Sequence, residues 1–524
     1  MKIKGLPYLG PLAAAAALTV FEHDLLYQLQ EQNLFLHTPL FFQQQTVKAG
    51  GLLTWTGCYL TQFFHYPTLG AGLLCLLWAF FMWLQTKAFR TDSPWPALLP
   101  VACLLLTIAD MGYWVFYQKL PGHAFVATVG CIVAVGLAWG YRRVTPRHGL
   151  APLTMALTAI VGYPLFGFYG LLAVALMAAT GRRMADACVA MIAIVGVPLI
   201  YYHTVYHETN IVNIYWTALP VYALNGRHYP AYYLPYAVLV AWLLMQARCQ
   251  GTTPNVSHEG GEEPPELSFG CSLKVSNTIP AWRTWAAGGV AFSCLLLVAL
   301  FWYKDDNFHR ELSMSRSIEQ HDWQQVLATA RAAKGEPTRA ICMMQNLALY
   351  RLDRPAEEML SYPNGAKRPQ APFPVRLVHT YGKMLYLEYG IPNYCYRWCM
   401  EDGVEYGWTV GRLKLMALCS LLNGEAVAAQ RMLNLLKKTD FHRSWARHYE
   451  AYLHNPRLVL QDDGLRPILP LLRTDNFLTA DQSQQELFLI EHILSTPGTT
   501  HEQQELARRT AYYYKHNRRK LVEN

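Results

Sequence analysis

The sequence predicts an all-α protein in which a bundle of transmembrane helices precedes an extracytoplasmic helical-repeat domain. Residues 1–303 alternate between apolar runs and short charged connections, whereas residues 304–524 have the composition of a soluble domain. Charged residues make up only 15% of the whole chain, and soluble domains carry about 25%. In addition, a helix–turn–helix pattern recurs after residue 303. We therefore expect two domains, 1–303 and 304–524, and the second is large enough for a core of its own.

Apolar runs divide the first domain into segments of membrane-spanning length. A helix needs about 20 apolar residues to cross a bilayer, and about 17 can suffice. The fifth and sixth runs are short, and the glycines and proline between them indicate either a tight hairpin or a broken, re-entrant pair. We expect about nine spans, at residues 5–21, 66–84, 95–117, 123–140, 149–163, 166–181, 184–203, 230–247 and 284–303.

Basic residues in the short connections predict the orientation, because cytoplasmic loops are enriched in Lys and Arg. Only Lys48, Lys119 and Arg227 fall on one side of the predicted spans. The other side, which includes a linker at 248–282, collects Lys2, Lys4, Lys87, Arg90, Arg142, Arg143, Arg147, Arg182, Arg183, Arg248, Lys274 and Arg283. The N-terminus is therefore predicted to be cytoplasmic and residues 304–524 to be outside. In a bacterium with two membranes, this places the chain in the inner membrane with a periplasmic C-terminal domain.

The first outer loop, residues 22–65, is too polar to be a span but has helical periodicity. A weaker apolar pattern occurs within residues 25–36. In the second part of the loop, apolar residues recur on one side of a predicted helix at Leu52, Trp55, Tyr59 and Phe63. We expect two helices that lie in the outer membrane surface, each with one apolar face.

The C-terminal domain repeats a pair of helices with a glycine at the turn. Gly390 and Gly424 are 34 residues apart, which is the tetratricopeptide period. Cys395 and Ala429 follow at the small-residue position of the second helix. The pattern resembles degenerate tetratricopeptide repeats over residues 316–455. Stacked repeats form a continuous core and a concave surface, so this domain is either a spacer or a docking surface for an envelope protein.

Acidic residues on the predicted outer face are the first candidates for chemistry. Glu22 and Asp24 open the first loop, and such a pair could bind a metal or act as a general base. Alternatively, they only mark the end of a span. Asp110 lies inside the third predicted span, near its outer end. A carboxylate in the membrane is costly, so Asp110 is either functional or paired with a hydroxyl or histidine of the bundle.

The second large outer loop supplies candidate substrate-binding residues: His207, Glu208, Arg227 and His228. Arg227 is the only basic residue of this loop, and its guanidinium could bind a lipid-linked phosphate bidentately. Otherwise it is an ordinary surface arginine. His203 and His207 have the spacing of two zinc ligands, but no third ligand supports them. The cofactor stays unknown, and a divalent metal is expected only if the chain is an enzyme.

Several functional classes are excluded by missing motifs. The chain lacks GxxxxGK[ST], GxGxxG after a strand, GxSxG and HExxH, so we see no ATPase, dehydrogenase or soluble hydrolase. The net charge of +8 comes largely from residues that flank the spans and from the basic tail 508–520. We therefore expect the lipid bilayer as a partner and no nucleic acid.

The order of these elements resembles that of GT-C-type membrane glycosyltransferases. These enzymes have an outer loop with an acid near its start and two interfacial helices, then further spans and a C-terminal periplasmic domain. By this resemblance, Glu22-His23-Asp24 stands where the family places its metal-binding or catalytic acid. The family adds a second acid in the next outer loop. Here that loop, residues 118–122, has none, so Asp110 would replace it.

A second resemblance covers nearly the whole chain. Residues 60–67 and 163–170 look like those of an uncharacterised family of multi-pass inner-membrane proteins from Bacteroidetes-type bacteria, whose C-terminal half contains repeats. It implies an inner-membrane location but no activity.

Two hypotheses about function follow. In the first, the membrane domain transfers a sugar or glycan from a polyprenyl-phosphate carrier at the outer face. Glu22 or Asp24 would be the base or a metal ligand, Asp110 its partner and Arg227 a phosphate contact. In the second, the chain is a non-catalytic anchor whose repeats organise envelope assembly. A transporter is a third option, although the membrane domain contains no convincing internal repeat.

Overall fold

The structure, a computed structural model, describes residues 5–91, 93–144, 150–181, 184–207, 209–249, 281–474 and 485–522. Within these ranges the chain is helical apart from one two-stranded hairpin. This confirms the predicted all-α class. We refer to the described residues up to 303 as the N-terminal half and to those after 303 as the helical half.

In the N-terminal half, a helix occupies each of the nine apolar segments. The two strands of the hairpin are β1 (Ala223–Leu224) and β2 (Arg227–His228). They lie between the helix that ends at Thr204 and the helix that begins at Leu234. The helices are α1 (Leu9–Phe21), α2 (His23–Glu31), α3 (Pro39–Thr46), α4 (Gly51–Thr61), α5 (Pro67–Ala88), α6 (Leu98–Ala109), α7 (Trp114–Tyr117), α8 (His123–Val144), α9 (Ala151–Phe166), α10 (Phe168–Thr180), α11 (Met184–Thr204), α12 (Leu234–Cys249) and α13 (Ala281–Phe301).

The helical half consists of consecutive helices, most of which pack on their neighbours in sequence. They are α14 (Asp306–Glu319), α15 (Trp323–Arg331), α16 (Arg339–Arg351), α17 (Gly382–Glu388), α18 (Pro392–Tyr406), α19 (Val410–Leu422), α20 (Ala426–Leu436), α21 (Arg443–His454), α22 (Gln485–Ser495) and α23 (His501–Val522). Side-chain caps fix where several of them begin, because Asp305, Asp322, Thr338 and Thr409 each accept a hydrogen bond from a backbone N–H of the first turn.

Some of the apolar helices are compatible with a membrane. In the described part of the chain, α5, α8 and α11 are long and apolar enough to cross one. The number rises to five if two bent pairs each count as one span. In these pairs, α2 turns by 82° from the helix that ends at Phe21, and α14 turns by 72° from α13.

The predicted fifth and sixth spans form a tight helical hairpin. Gly167, with φ +57°, is the single residue between α9 and α10. The two helices pack side by side, and a Cβ atom on Gly170 would lie 2.3 Å from the carbonyl oxygen of Gly162. Glycine at position 170 therefore permits this close approach.

Two helix pairs of the helical half coincide with the predicted repeats. The pairs α17–α18 and α19–α20 turn at Gly390 (φ +73°) and Gly424 (φ +72°). Cys395 and Ala429 are fully buried behind these turns. Glycine ends helices in this left-handed conformation without the steric cost of a side chain. The helices and turns are present where expected, and their assignment to the tetratricopeptide family remains a prediction.

One hydrophobic core extends through both halves. Aromatic rings make much of the contact between them: the ring centroids of Trp114 and Phe373 are 4.6 Å apart, and those of Phe63 and Phe441 are 5.7 Å apart. Edge-to-face and tilted ring pairs of this kind add to the stabilisation from buried apolar area. The first loop and α7 therefore belong to the surface on which the helical half packs.

Helix α4 packs on α8 through its small residues. A Cβ atom on Gly57 would lie 2.8 Å from the carbonyl oxygen of Gly122, and Thr54 and Thr61 on this side of the helix are buried. The aromatic side of α4 is half-buried, and the ring of Trp55 contacts that of Phe35 at 5.3 Å. The helix is thus held on both sides by protein.

Candidate functional site

Glu22 joins the N-terminal half to the helical half. Its carboxylate is 1% exposed. It accepts a hydrogen bond from the indole N–H of Trp302 at 2.6 Å and lies 3.1 Å from Nε2 of His309. Trp302 follows α13 and His309 lies on α14, so the start of α2 is fixed to the point where the chain enters the helical half.

Asp24 is engaged in the same way two residues further along the chain, in the first turn of α2. Arg316 on α14 donates to its carboxylate at 2.9 Å, and the guanidinium also lies 2.6 Å from Nδ1 of His23. Arg316 stacks over the ring of Tyr27 at 4.8 Å. The Tyr27 hydroxyl donates to Glu319, also on α14, at 3.0 Å.

At the end of α2, a buried lysine pairs with two carboxylates, one buried and one 40% exposed. The ammonium group of Lys414, on α19, donates to Glu31 and to Glu319 at 2.8 Å each. Burial raises the pKa of Glu31 although Lys414 acts to lower it. Burial alone would lower the pKa of Lys414, but the two carboxylates outweigh it and raise the pKa. We call the contacts of Glu22, Asp24, Tyr27 and Glu31 with His309, Arg316, Glu319 and Lys414 the cross-half ladder.

The contact continues beyond α2. The amide of Gln30 lies 2.5 Å from Nε2 of His442, whose pKa burial lowers to about 2. The backbone oxygen of Asn33 accepts from the N–H of Val410 at 3.0 Å. Asp440 accepts from the side chain of Gln62 at 2.7 Å. The first loop is therefore attached to the helical half along most of its length.

A cleft with a volume of about 170 Å³ lies beside the ladder. Residues of α2, α14, α17, α19 and α21 form its walls. Charged and aromatic groups line it together, among them Glu31, Glu319, Lys383, Arg412, Lys414 and Trp445. A cavity of this size can hold a small aromatic molecule, since about 150 Å³ is enough for benzene.

Behind the cleft, Asp402 is buried on α18 between two partners. Lys383 donates to its carboxylate at 2.5 Å, and Nδ1 of His379 lies 2.7 Å from it. Burial alone would raise the pKa of Asp402, but Lys383 and His379 outweigh this effect and lower it. None of these three residues stands out in the sequence, because each is an ordinary polar residue of an amphipathic helical segment.

Asp110 lies apart from the two acids of the first loop. It ends α6 and is half-buried, and the backbone turns at Gly112 with φ +48°. Its carboxylate forms no hydrogen bond or ion pair with any residue that the structure describes. Tyr222 and Tyr232 are its neighbours. The predicted third span is thus broken at this acid.

The candidates of the second outer loop are at the surface. Arg227 and His228 form β2, after a turn of Asn225 and Gly226 with positive φ, a sequence typical of two-residue hairpins. Both are exposed, as is His207. Glu208 lies outside the described residues.

Within the described ranges, no hydrogen bond or ion pair joins His207, Arg227 and His228 to each other. In the same ranges, none joins them to the acids Glu22, Asp24 or Asp110. The same ranges contain no group of three or more His, Cys, Asp or Glu residues arranged to hold a metal ion.

The fold defines the class of protein as all-helical, with several apolar helices of membrane-spanning character beside a polar helical half. The sequence profile of a family of unknown function, DUF6057, matches residues 3–498, and the chain belongs to this family. No curated protein and no solved structure matches the chain. The expectation of an uncharacterised family is thus supported, and the resemblances to GT-C enzymes and to Bacteroidetes-type proteins remain predictions.

Proposed function

We propose that the chain is a membrane-anchored scaffold of the bacterial envelope, with about nine spans in the inner membrane and its helical half in the periplasm. Nine apolar helices among the described residues and the excess of Lys and Arg on one side of them support the spans and their orientation. In this arrangement the first loop, α7 and the hairpin are at the outer surface, where the helical half packs.

The cross-half ladder is the observation that carries the scaffold function. A catalytic base must reach the proton that it removes, whereas Glu22 is buried and is already in contact with Trp302 and with His309 of the helical half. Asp24 is likewise paired with Arg316. These acids therefore serve to fix the helical half in one orientation on the membrane bundle.

A fixed orientation is what a docking platform needs. The helix pairs α17–α18 and α19–α20 stack in the manner of repeat proteins, which expose extended concave surfaces. We assign this surface to an envelope protein, which the chain would hold at a defined distance from the membrane.

A transferase acting on a polyprenyl-phosphate-linked glycan is the second candidate, favoured by Asp110. Its carboxylate has no partner among the described residues, and it adjoins Tyr222 and Tyr232. In this function Asp110 would be the base, and the exposed Arg227 would bind the phosphate. Glu22 and Asp24 would then only position the helical half.

A charge exchange separates a positioning role of Asp24 from a chemical one. A deletion strain would be complemented with Asp24→Arg, Arg316→Asp and the double variant, with the membrane level of each protein and the envelope glycan profile as readouts. The scaffold function predicts that each single variant fails and that the double variant recovers, because the ion pair is restored with opposite polarity.

If Asp24 were a base or a metal ligand, the double variant would stay as defective as Asp24→Arg, and the scaffold assignment would be wrong. The exposed cross-half pair Lys119–Glu405 serves as the control, since exchanging charges there should change little. Asp110→Asn tests the transferase: loss of glycan transfer at a normal protein level supports it, and full function excludes it.

A further inference from the structure

Arg412 is a buried cation that forms no ion pair with any residue that the structure describes. It lies on α19, is 3% exposed and forms part of the cleft wall. One terminal nitrogen donates to the carbonyl oxygen of Gly407 at 2.6 Å. The Nε atom has no acceptor, and no carboxylate of the described residues forms an ion pair with this guanidinium. Burial lowers the pKa of Arg412 although Asp402 acts to raise it.

The other lysines and carboxylates of the cleft lining are paired. Lys414 holds Glu31 and Glu319. Lys383 pairs with Asp402, and Glu388 pairs with Arg351. Buried charges in proteins are generally paired, and an arginine cannot become neutral by losing its proton. The unpaired guanidinium therefore marks the position of an anion that the described residues do not supply.

The surroundings of Arg412 indicate what carries this anion. Met384, Leu387, Leu415 and Leu418 contribute an apolar wall, together with the ring of Trp445. Because Arg412 is the one unpaired Lys or Arg among the described residues of the lining, one negative charge on the ligand suffices. A phosphate dianion would bring a second charge into a lining whose other cations are already neutralised. A carboxylate also accepts a strong, charge-assisted hydrogen bond from a guanidinium N–H.

We propose that the cleft binds a small organic monocarboxylate, with its carboxylate on Arg412 and its apolar body against the wall formed by α17 and α19. Such a ligand is compatible with a scaffold and with a transferase, because the cleft contains neither Asp110 nor Arg227. Since α2 forms part of the cleft, the ligand would also contact the element that joins the two halves.

Calorimetric titration of the full-length protein in detergent tests this site with benzoate and with its uncharged analogue benzamide. We expect the wild type to bind benzoate more tightly by at least about tenfold, because a hydrogen-bonded charge is lost in benzamide. Arg412→Gln should reduce benzoate binding to the level of benzamide. Arg431→Gln, at an exposed position of α20, is the matched control and should bind benzoate like the wild type.

A second variant keeps the test decisive if Arg412→Gln does not fold. Leu415→Trp fills the cleft and leaves Arg412 in place, so it should abolish benzoate binding. The proposed site is refuted if the wild type does not distinguish benzoate from benzamide, or if either variant keeps the preference. Tighter binding of inorganic phosphate than of benzoate would refute the assignment to a monocarboxylate.

Discussion

The carboxylate of Glu22 and the imidazole of His309 lie 3.1 Å apart across the junction of the two halves. The indole of Trp302 donates to the same carboxylate at 2.6 Å. The end of the first apolar helix and the end of the last one are therefore connected through one buried acid. This contact fixes where the helical half leaves the membrane bundle, and it gives Glu22 a clear structural role.

Glu22→Ala should destabilise the protein by about 2–3 kcal/mol, because it leaves the indole and the imidazole without their acceptor. Glu22→Gln should cost less, since its amide oxygen still accepts from Trp302. Thermal unfolding followed by tryptophan fluorescence measures both. The control is Glu401→Ala, which removes an exposed pair with Arg397 and should change stability by well under about 1 kcal/mol. Equal effects at positions 22 and 401 would contradict the contact.

Lys414→Met should destabilise the protein strongly, by about 3–5 kcal/mol, because Glu31 would stay buried without its cation. Adding Glu31→Gln should recover a large part of this loss, since position 31 is then neutral and the remaining carboxylate, that of Glu319, is 40% exposed. The coupling between the two positions is measured with a double-mutant cycle. Additive effects of the two substitutions would show that the ion pair does not form.

The helices could be predicted from the sequence because their signals are local. Apolar runs located a helix at each of the nine predicted spans, and the spacing of Gly390 and Gly424 located two helix pairs. The packing side of α4 was harder to predict. Its apolar periodicity pointed to the face of Trp55, whereas Gly57 and the threonines beside it form the close contact with α8. Small residues carry little apolar signal, yet they permit the closest approach of two helices.

The ladder and the cleft could not be predicted, because their members are distant in the sequence. Lys414 is more than 380 residues from Glu31, and nothing near either residue indicates the other. The sequence did single out Glu22 and Asp24. It assigned them to chemistry because it could not reveal that His309 and Arg316 reach them. Whether Asp110 and Arg227 act on a substrate remains a prediction.

Acidification should weaken the docking of the first loop through His442. The pKa of this histidine falls to about 2 in the fold, below about 6.5 in an unfolded chain. The contribution of His442 to the free energy of unfolding is therefore present above about pH 6.5. It is lost as the pH falls, by roughly 1.5 kcal/mol between about pH 6.5 and about pH 5. His65 and Lys414 also oppose a charge on His442.

The effect of His442 is measured as a difference, because the raised pKa of Glu31 acts in the opposite direction and favours the fold at low pH. His442→Gln should remove the loss, so that the stability of the variant relative to the wild type improves as the pH falls from 6.5 to 5. Denaturant unfolding at several pH values gives this difference. His454→Gln, at an exposed position, is the control and should leave the pH dependence of stability unchanged. If His442→Gln also left this pH dependence unchanged, the burial of a neutral imidazole would be contradicted.

Alanine at the two turn glycines should have unequal costs. Both residues have φ near +73°, where a side chain costs about 1–2 kcal/mol. At Gly424, a Cβ atom would meet nothing within 4 Å, so Gly424→Ala should cost no more than this. At Gly390 the Cβ atom would lie 2.5 Å from the carbonyl oxygen of Leu471. Gly390→Ala must therefore also displace the segment around Leu471, and we expect its thermal unfolding midpoint to fall clearly below that of Gly424→Ala. Equal midpoints would show that the segment around Leu471 does not pack on this turn.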